Sequence, residues 1–247
     1  MRIVSLVPSW TEYLIDLGVA EALVGRTKFC VRPHDLVGNI PHVGGTKSAN
    51  LEAIAKLKPD LIIANREEND RVQVETCMGF SQVLLTDVRS VEDSINACLD
   101  IARAVECEEA GLQIIADIRK AWGIPRPVYT TAAYVVWKEP LMVAGQDTFI
   151  HDVMRWWGIQ NAGAQWDNGR YPQPLKDSWD HAPMDWVLLP SEPFPFGNKH
   201  LKHFQSTQRK ALLVDGEAFS WYGSRMIHAA TYLKLLREQM LARRDQD

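Results

Sequence analysis

A single helix with the same chain pattern on both sides constrains the fold of this sequence more than any other feature. The run Cys107–Trp122 carries apolar residues at helical spacing, and Gly123 and Pro125 end it. Before it, Leu51–Asn65 reads as a helix, a Pro-Asp corner and an apolar strand; after it, Leu175–Ser191 repeats that order. The sequence therefore predicts two α/β lobes on either side of one connecting helix.

The repeat is one of topology and not of residues. Each half opens with an apolar strand, Ile3–Val7 or Val128–Trp137, and each later strand follows an acidic corner, Asp60 or Asp185. We expect two three-layer α/β lobes with parallel sheets, joined by a single rigid linker helix, with a ligand cleft between them. The expected boundaries are 1–106, 107–123 and 124–247. A single domain of this length is the alternative.

Composition limits the class of protein. The chain has 247 residues, 46% of them hydrophobic and 23% charged, which is typical of a globular protein. The net charge of −4 argues against a nucleic-acid partner. No apolar run approaches the ~18 residues of a transmembrane segment. We expect a monomer without a membrane span.

The start of the chain bears on localisation. Met1 and Arg2 lead directly into a strand, so neither the apolar region nor the cleavage site of a secretory signal is visible. The four cysteines lack C-x-x-C spacing, which fits reduced thiols. The sequence as written predicts a cytoplasmic protein, or a periplasmic one if an export signal has been removed.

Three helix starts have recognisable caps. Ser9 and Glu12 have the spacing of a capping box after the first strand. Asn50 is predicted to cap the helix LEAIAKL, and Asp147 or Thr148 the helix FIHDVMRWWG. In a parallel sheet such strand–helix junctions lie at the edge where ligands bind.

The loops that follow the strands mix aromatic and charged side chains, as expected for the wall of a small-molecule site. Arg170 and Arg225 would suit an anionic ligand, with a structural ion pair as the alternative. The predicted ligand-binding residues are Trp10, Phe29, Cys30, Asn65, Glu67, Glu68, Trp137, Arg170, Tyr171, Glu192, Phe194, Trp221, Tyr222 and Arg225. Cys30 and His151 are also the candidate metal ligands.

No catalytic motif is present. The sequence contains no G-x-S-x-G, H-E-x-x-H or G-x-G-x-x-G, and in GGTKS the residue Thr46 interrupts the phosphate-binding pattern. We therefore expect a binding protein and not an enzyme. An enzyme with Cys30 as nucleophile or metal ligand is one alternative, and an interaction module with a vestigial cleft is another.

Three stretches of the first lobe carry a family resemblance: RIVSLVPSWTEYLIDLG, LVGRTKFCVRP and VGGTKSANLEAIAKLKPDLIIAN. They resemble the class III periplasmic binding proteins, which include the vitamin B12 and iron-siderophore receptors of ABC importers and the helical-backbone metal receptors. In the second lobe DTFIHD and FSWYGSR are similar to the metal receptors.

The resemblance implies a solute-binding protein that holds its ligand in the cleft without changing it. The candidate ligands are cobalamin, an iron-siderophore, haem or a transition metal, with no certain cofactor, and an ABC permease is the implied partner. Aromatic contacts are implied near Phe29 and at the position of Asn65, where the family's Trp is replaced. The implied docking glutamate of the first lobe aligns with Arg71, close to Glu67, Glu68 and Glu75.

Overall fold

The structure is a computed structural model that describes residues 1–166, 169–206 and 209–244. The chain forms two compact units. Unit 1 consists of Met1–Val88, Glu92–Lys120 and Trp221–Ile227. Unit 2 consists of Arg89–Val91, the described residues of Ala121–Ser220, and those from His228 onward. The prediction of two α/β lobes is confirmed; the cleft between them stays a prediction.

Unit 1 is built on a four-stranded parallel sheet with the order β2-β1-β3-β4. The predicted strand Ile3–Val7 matches β1 to within two residues, and the apolar strand predicted after Asp60 is β3; both are buried on both faces, which requires such apolar runs in a parallel sheet. The strands are β1 Ile3–Ser5, β2 Leu23–Arg26, β3 Leu61–Asn65 and β4 Gln82–Thr86.

Six α-helices connect or follow these strands. They are α1 Pro8–Asp16, α2 His34–Val37, α3 Leu51–Lys56, α4 Arg71–Met78, α5 Val91–Ala104 and α6 Glu108–Trp122. A short 3-10 helix spans Ala20–Ala22. Val4 and Ile62 of the sheet pack against Ile54 of α3 and Val74 of α4, and these buried side chains belong to one core cluster.

Unit 2 contains a five-stranded sheet with the order β6-β5-β8-β9, in which β7 also pairs with β5. Only β6 is antiparallel. The strands are β5 Thr130–Trp137, β6 Met142–Val143, β7 Ile159–Asn161, β8 Trp186–Pro190 and β9 Lys210–Val214. The helices are α7 Phe149–Trp156, α8 Lys176–Asp180, α9 Asn198–Phe204, α10 Gly216–Ser220 and α11 Arg225–Arg244, with a 3-10 helix at Ala162–Gln165.

The two parallel sheets have the same strand topology. Ala132 of β5 pairs with Asn161 of β7 and with Trp186 of β8, so β7 and β8 lie on opposite edges of β5. The parallel order β7-β5-β8-β9 thus corresponds to β2-β1-β3-β4. The corner aspartates have matching roles as well: Asp60 accepts a hydrogen bond from the backbone N–H of Arg2 at 2.6 Å, and Asp185 from that of Thr131 at 2.9 Å. Each carboxylate therefore holds the start of the central strand of its sheet in place, β1 in unit 1 and β5 in unit 2.

The predicted connecting helix is confirmed as α6. It belongs to unit 1 up to Lys120 and to unit 2 from Ala121. The units also exchange short segments, since Arg89–Val91 belongs to unit 2 and Trp221–Ile227 to unit 1. The boundaries expected from the sequence stay predictions. That the chain returns to unit 1 after residue 220 has no local signal in the sequence.

The cap predictions have different outcomes. Asn50 accepts a hydrogen bond from the N–H of Ala53 at 3.0 Å, and Thr148 accepts one from the N–H of His151 at 3.1 Å, so both caps are confirmed. The capping box at Ser9 and Glu12 is wrong. The helix α1 begins at Pro8, and its N-cap is Val7, two residues before Ser9. Proline suits this first position because it has no N–H to satisfy.

Helices α5 and α6 approach each other closely at Gly111. A Cβ atom at this position would lie 2.4 Å from the Cβ of Ala102 and 3.1 Å from the hydroxyl of Tyr13. Ala102 and Tyr13 are fully buried, so neither can move aside without disturbing the core. The position therefore needs glycine for packing, although glycine lowers helix propensity.

We expect Gly111→Ala to lower the free energy of unfolding by about 1–2 kcal/mol, because overpacking outweighs the gain of about 1 kcal/mol in helix propensity. Urea unfolding followed by circular dichroism measures this change. The matched control is Gln113→Ala, an exposed position two residues further along α6, which should change stability by less than about 0.5 kcal/mol. A stabilised Gly111→Ala protein would show that the helices are not in close contact.

Candidate functional site

The end of β3 is fixed by the buried side chain of Asn65. Its Nδ2 donates to Oγ1 of Thr86 at 3.1 Å, and its Oδ1 accepts from the N–H groups of Glu67 and Glu68 at 2.9 and 3.3 Å. Asn65 is only 1% exposed. It therefore shapes the loop after β3, where the resemblance implied a ligand-contacting residue, and it presents no surface of its own.

The aromatic side chains after β1 are buried in unit 1. Trp10 is fully buried and donates from Nε1 to Oγ1 of Thr86 at 3.0 Å. Its ring lies 5.9 Å from that of Tyr13 and 4.6 Å from that of Tyr222, measured between ring centres. Trp221 is 6% exposed. Trp10 and Trp221 were predicted to bind a ligand, but both rings are buried in the structure and form part of the core, which gives that prediction no support.

A hydrogen bond joins the segment Trp221–Ile227 to the loop after β3. The hydroxyl of Tyr222 donates to Oε1 of Glu68 at 2.6 Å. Tyr222 is 4% exposed, and burial followed by the nearby Glu68 charge raises the pKa of this phenol well above its usual value. The phenol is thus held as a neutral donor to a carboxylate, an interaction stronger than a neutral hydrogen bond.

A second contact of this segment is the ion pair of Arg225 with Glu12. The Nε atom of Arg225 donates to Oε2 of Glu12 at 2.8 Å, and a second guanidinium nitrogen donates to Oε1. The side chains are 17% and 8% exposed. The structure therefore shows the structural ion pair that was the alternative to anion capture, and Arg225 as a ligand contact stays a prediction. Glu12 faces Arg225 instead of closing a capping box.

Phe29 is the exposed aromatic residue at the carboxyl edge of the first sheet. It follows β2 by three residues and is 49% exposed. The ammonium of Lys28 lies 5.0 Å from the centre of its ring, within the range of a cation–π contact. This pair presents an apolar face with a positive charge beside it.

Cys30 is fully buried although it is next to Phe29. Its Sγ lies 3.1 Å from Oγ1 of Thr27, within hydrogen-bonding distance. Burial is the main reason that the pKa of the thiol is raised, so the thiolate form needed for attack or metal binding is disfavoured. This removes the physical basis for Cys30 as a nucleophile, metal ligand or ligand-contacting residue.

In unit 2 the exposed aromatic at the equivalent edge is Trp137, the last residue of β5, at 41% exposure. Its ring packs edge-on against Phe194, which follows β8, with 5.3 Å between ring centres. Phe194 packs in turn on Phe196 and on His200. Lys138 comes directly after Trp137 and forms an ion pair with Glu139 at 2.8 Å. Two predicted residues, Trp137 and Phe194, are thus brought together.

Two of the remaining candidates of unit 2 have hydrogen bonds to other residues of the unit. Glu192 is half-buried, and its Oε1 accepts a hydrogen bond from Ser220 at 3.1 Å. The guanidinium Nε of Arg170 donates to the backbone oxygen of Asp147 at 2.7 Å. Tyr171, the next residue in the sequence, is half-buried. These hydrogen bonds give Glu192 and Arg170 roles in the structure of unit 2.

His151 lies in the first turn of α7 and is half-buried. Its Nδ1 accepts a hydrogen bond from Nδ2 of Asn161 at 3.2 Å, and burial is the main cause of a lowered pKa for the imidazole. Within residues 1–166, 169–206 and 209–244, no group of three or more His, Cys, Asp or Glu side chains is placed to hold a metal ion. The structure gives no support for Cys30 and His151 as metal ligands.

Sequence reasoning missed the partner of Arg225, and its list of candidate ligand-binding residues contains neither Lys28 nor Lys138. Lys28 and Lys138 adjoin Phe29 and Trp137 in the sequence, so their adjacency to candidate aromatics was a usable signal. The implied docking position, Arg71, is exposed and forms an ion pair with Glu75 at 2.7 Å. Glu67 is half-buried in the loop after β3.

Breaking the Glu12–Arg225 pair from either side should lower the free energy of unfolding by about 3 kcal/mol, because the remaining charge stays largely buried and loses its two-hydrogen-bond partner. The double variant Glu12→Ala, Arg225→Ala should cost less than the sum of the single variants by about 1–3 kcal/mol. Urea unfolding of all four proteins measures this coupling. Additive effects, together with a change in ligand affinity only for Arg225→Ala, would instead support anion capture.

The tyrosines predict a loss of stability at alkaline pH. Burial raises the pKa of five of the six phenols, Tyr13, Tyr129, Tyr134, Tyr222 and Tyr232. Unfolded tyrosines ionise near pH 10, so the folded state holds these protons more tightly. The free energy of unfolding should therefore fall as the pH rises above about 10, by up to about 1.4 kcal/mol per pH unit for each phenol.

Denaturant unfolding between about pH 8 and 11 measures this slope, and tyrosinate absorbance of the folded protein checks its cause. The variant Tyr222→Phe should show a shallower slope than the unmodified chain, because one buried phenol is removed. Tyrosinate absorbance of the folded protein equal to that of the unfolded protein near pH 10 would contradict the prediction.

The chain is similar in sequence to known binding proteins. The uncharacterized ABC transporter substrate-binding lipoprotein YvrC of Bacillus subtilis (strain 168) is 26% identical over 176 residues, which cover 66% of this chain and 55% of that protein. The vitamin B12-binding protein of Pectobacterium carotovorum subsp. carotovorum (strain PC1) is 32% identical over 93 residues, covering 37% and 33%. The matches thus span between a third and just over half of these relatives' lengths.

A solved structure matches over nearly the whole chain. It is the periplasmic heme-binding protein RhuT from Roseiflexus sp. RS-1 in its apo form, with a TM-score of 0.79 and 20% sequence identity over 96% of this chain and 97% of that chain. At this identity the likeness shows the fold. These relatives are named as binding or substrate-binding proteins, so they give the alternative of a cytosolic enzyme no support.

No helix among the described residues is long and apolar enough to cross a membrane. The family model described as "Periplasmic binding protein" matches residues 3–193, which include both parallel sheets except β9. With this match and the two α/β units, the chain belongs to the periplasmic binding protein family.

Proposed function

We propose that this chain is the solute-binding component of an ABC importer and that it holds a metal chelate, such as cobalamin, haem or an iron-siderophore, without chemical change. The names of its relatives support this assignment, since they include an ABC transporter substrate-binding lipoprotein and proteins that bind vitamin B12 or heme. We further propose that it works outside the cytoplasm, together with a permease, as those names imply.

One observation in the structure carries the proposal. Each parallel sheet has an exposed aromatic side chain at its carboxyl edge, Phe29 in unit 1 and Trp137 in unit 2. Covering a solvent-exposed aromatic ring with another apolar surface is favourable, because both surfaces are removed from water. Flat conjugated ligands provide such a surface. The carboxyl edge is also the side on which open parallel sheets bind ligands.

The other predicted residues support binding and not catalysis. The Cys30 thiol is fully buried, and the half-buried Glu68 and Arg225 already have protein partners within unit 1. A base and an accessible nucleophile would have to be close together for covalent chemistry. The ligand-contacting set is therefore proposed to be the part of the predicted set that reaches solvent, with the exposed Phe29 and Trp137 and the half-buried Phe194 as its apolar members.

The first test is a ligand panel of haem, cyanocobalamin and a ferric hydroxamate siderophore, measured by thermal unfolding. A ligand at a hundred times its Kd should stabilise the folded chain by about 2.7 kcal/mol. For a chain of this size that corresponds to a rise in Tm of about 5–10 °C. No rise with any of the three ligands would refute the proposed function.

The second test compares two exposed phenylalanines of unit 1. Phe29 is 49% exposed at the carboxyl edge, whereas Phe80 is 41% exposed just before β4, at the amino edge. Phe29→Ala should weaken binding of the best ligand by about two- to tenfold, and Phe80→Ala should leave its Kd unchanged. Equal effects of both variants would place the ligand elsewhere. Isothermal titration measures both constants.

A further inference from the structure

The turn before α9 is held by the side chain of a histidine. The N–H of Gly197, the N-cap of α9, donates to Nδ1 of His200 at 3.0 Å, and the N–H of His200 donates to the backbone oxygen of Gly197 at 2.8 Å. This is the arrangement of a capping box, in which glutamate or glutamine usually fills the third helical position. Histidine differs from both because it becomes a cation just below neutral pH.

The hydrogen bond determines which nitrogen of the His200 ring takes up a proton. An Nδ1 atom that accepts a hydrogen bond carries no hydrogen, so the neutral ring has its hydrogen on Nε2. The next proton can therefore add only at Nδ1, the atom at which the N–H of Gly197 points. Both ring nitrogens are donors in the cation, so protonation of His200 breaks this hydrogen bond.

Aromatic rings connect His200 to the exposed ring at the end of β5. Phe194 and Phe196 pack edge-on against the imidazole, with 5.6 and 5.4 Å between ring centres. Phe196 is buried in a core cluster of unit 2, whereas Phe194 packs edge-on against the exposed Trp137. The turn that His200 holds is therefore the turn that places Phe194 beside Trp137.

The charged groups around His200 oppose a positive charge on its ring. Burial is the main reason that the pKa of His200 is lowered; the charges of Lys199 and His203 on α9 and of Lys138 after β5 act in the same direction, and the backbone of the N-cap residue acts against them. Glu139 faces the same group and is paired with Lys138 at 2.8 Å. Unfolded histidine has a pKa of about 6.5, so the neutral ring stabilises the folded turn above that pH, and this stabilisation is lost as the pH falls below it.

We propose that His200 is a pH-dependent switch: as a neutral ring it holds the turn before α9, and as a cation it releases the turn and with it Phe194 from Trp137. Phe194 and Trp137 belong to the proposed ligand-contacting set, so mild acid weakens ligand binding. This consequence rests on the proposed function, whereas the switch itself involves only contacts within unit 2.

Hydrogen exchange of the full chain measures the switch. Between about pH 7 and 5, the protection factors of the Gly197 amide and of the α9 amides should fall by up to about tenfold per pH unit, which is the limit for one proton. His200→Gln keeps an acceptor at the third helical position and does not titrate in this range, so its protection factors should stay constant. His200→Ala removes the acceptor and should give low protection at every pH.

The matched control is His228→Gln, an exposed histidine on α11, which should retain the acid response of the unmodified chain. The same acid response in His200→Gln as in the unmodified chain would overturn the inference, as would a constant protection of the unmodified chain. Nitrogen NMR of the unmodified chain is a second measurement, which needs no His200 variant to fold stably. It should find the hydrogen of the neutral His200 ring on Nε2, and a hydrogen on Nδ1 would also overturn the inference.

Isothermal titration at pH 7.5 and 5.5 tests the consequence for binding, with whichever of haem, cyanocobalamin and the ferric hydroxamate siderophore raises the Tm. The Kd of the unmodified chain should rise in acid by about two- to tenfold more than that of His200→Gln. Equal rises in both proteins would show that the switch does not control binding and would overturn this part of the inference. If none of the three ligands binds, the proposed function fails, and the exchange measurements still decide whether His200 is a switch.

Discussion

The guanidinium of Arg225 donates to both carboxylate oxygens of Glu12, and much of the structure of unit 1 depends on this contact. Removing two charges from water is costly, and only a geometry with two hydrogen bonds offsets that cost. With the Tyr222–Glu68 hydrogen bond, the pair holds Trp221–Ile227 against the start of α1 and the loop after β3. The segment closes over Trp10 and takes that ring out of contact with solvent.

The repeated pattern was predictable because its signals are local. A helix, an acidic corner and an apolar strand follow one another within about fifteen residues, as in Leu51–Asn65. The strand is apolar because a parallel sheet is buried on both faces. Asp60 and Asp185 show why the corner recurs: each accepts the backbone N–H at the start of the adjacent central strand. Arg225, the partner of Glu12, lies 213 positions away in the sequence, so no local sequence pattern predicts the pair. The spacing of Ser9 and Glu12 instead matched a capping box, and that local interpretation was wrong.

Which aromatic residues reach solvent was also not predictable from their place after strands. Trp10 follows β1 by five residues and Trp137 is the last residue of β5, yet the first is fully buried and the second is 41% exposed. Trp10 belongs to the first turns of α1, where one helix face must pack on the sheet. Trp137 ends β5 directly before a turn, where its ring packs edge-on against Phe194 and stays partly open to solvent. The difference depends on which element continues the chain, and composition does not reveal it.

The burial of Cys30 explains how Phe29 remains exposed. Thr27 and Cys30 are both fully buried, and the N–H of Cys30 donates to the backbone oxygen of Thr27 at 3.1 Å. Their side chains meet as well, with Oγ1 and Sγ 3.1 Å apart. The turn is thus fixed at both ends inside unit 1, and the two residues between them, Lys28 and Phe29, must point outward. A cysteine that appeared suited to chemistry from the sequence acts as an apolar anchor, because the small polarisable thiol fills a buried position without requiring a full set of hydrogen bonds.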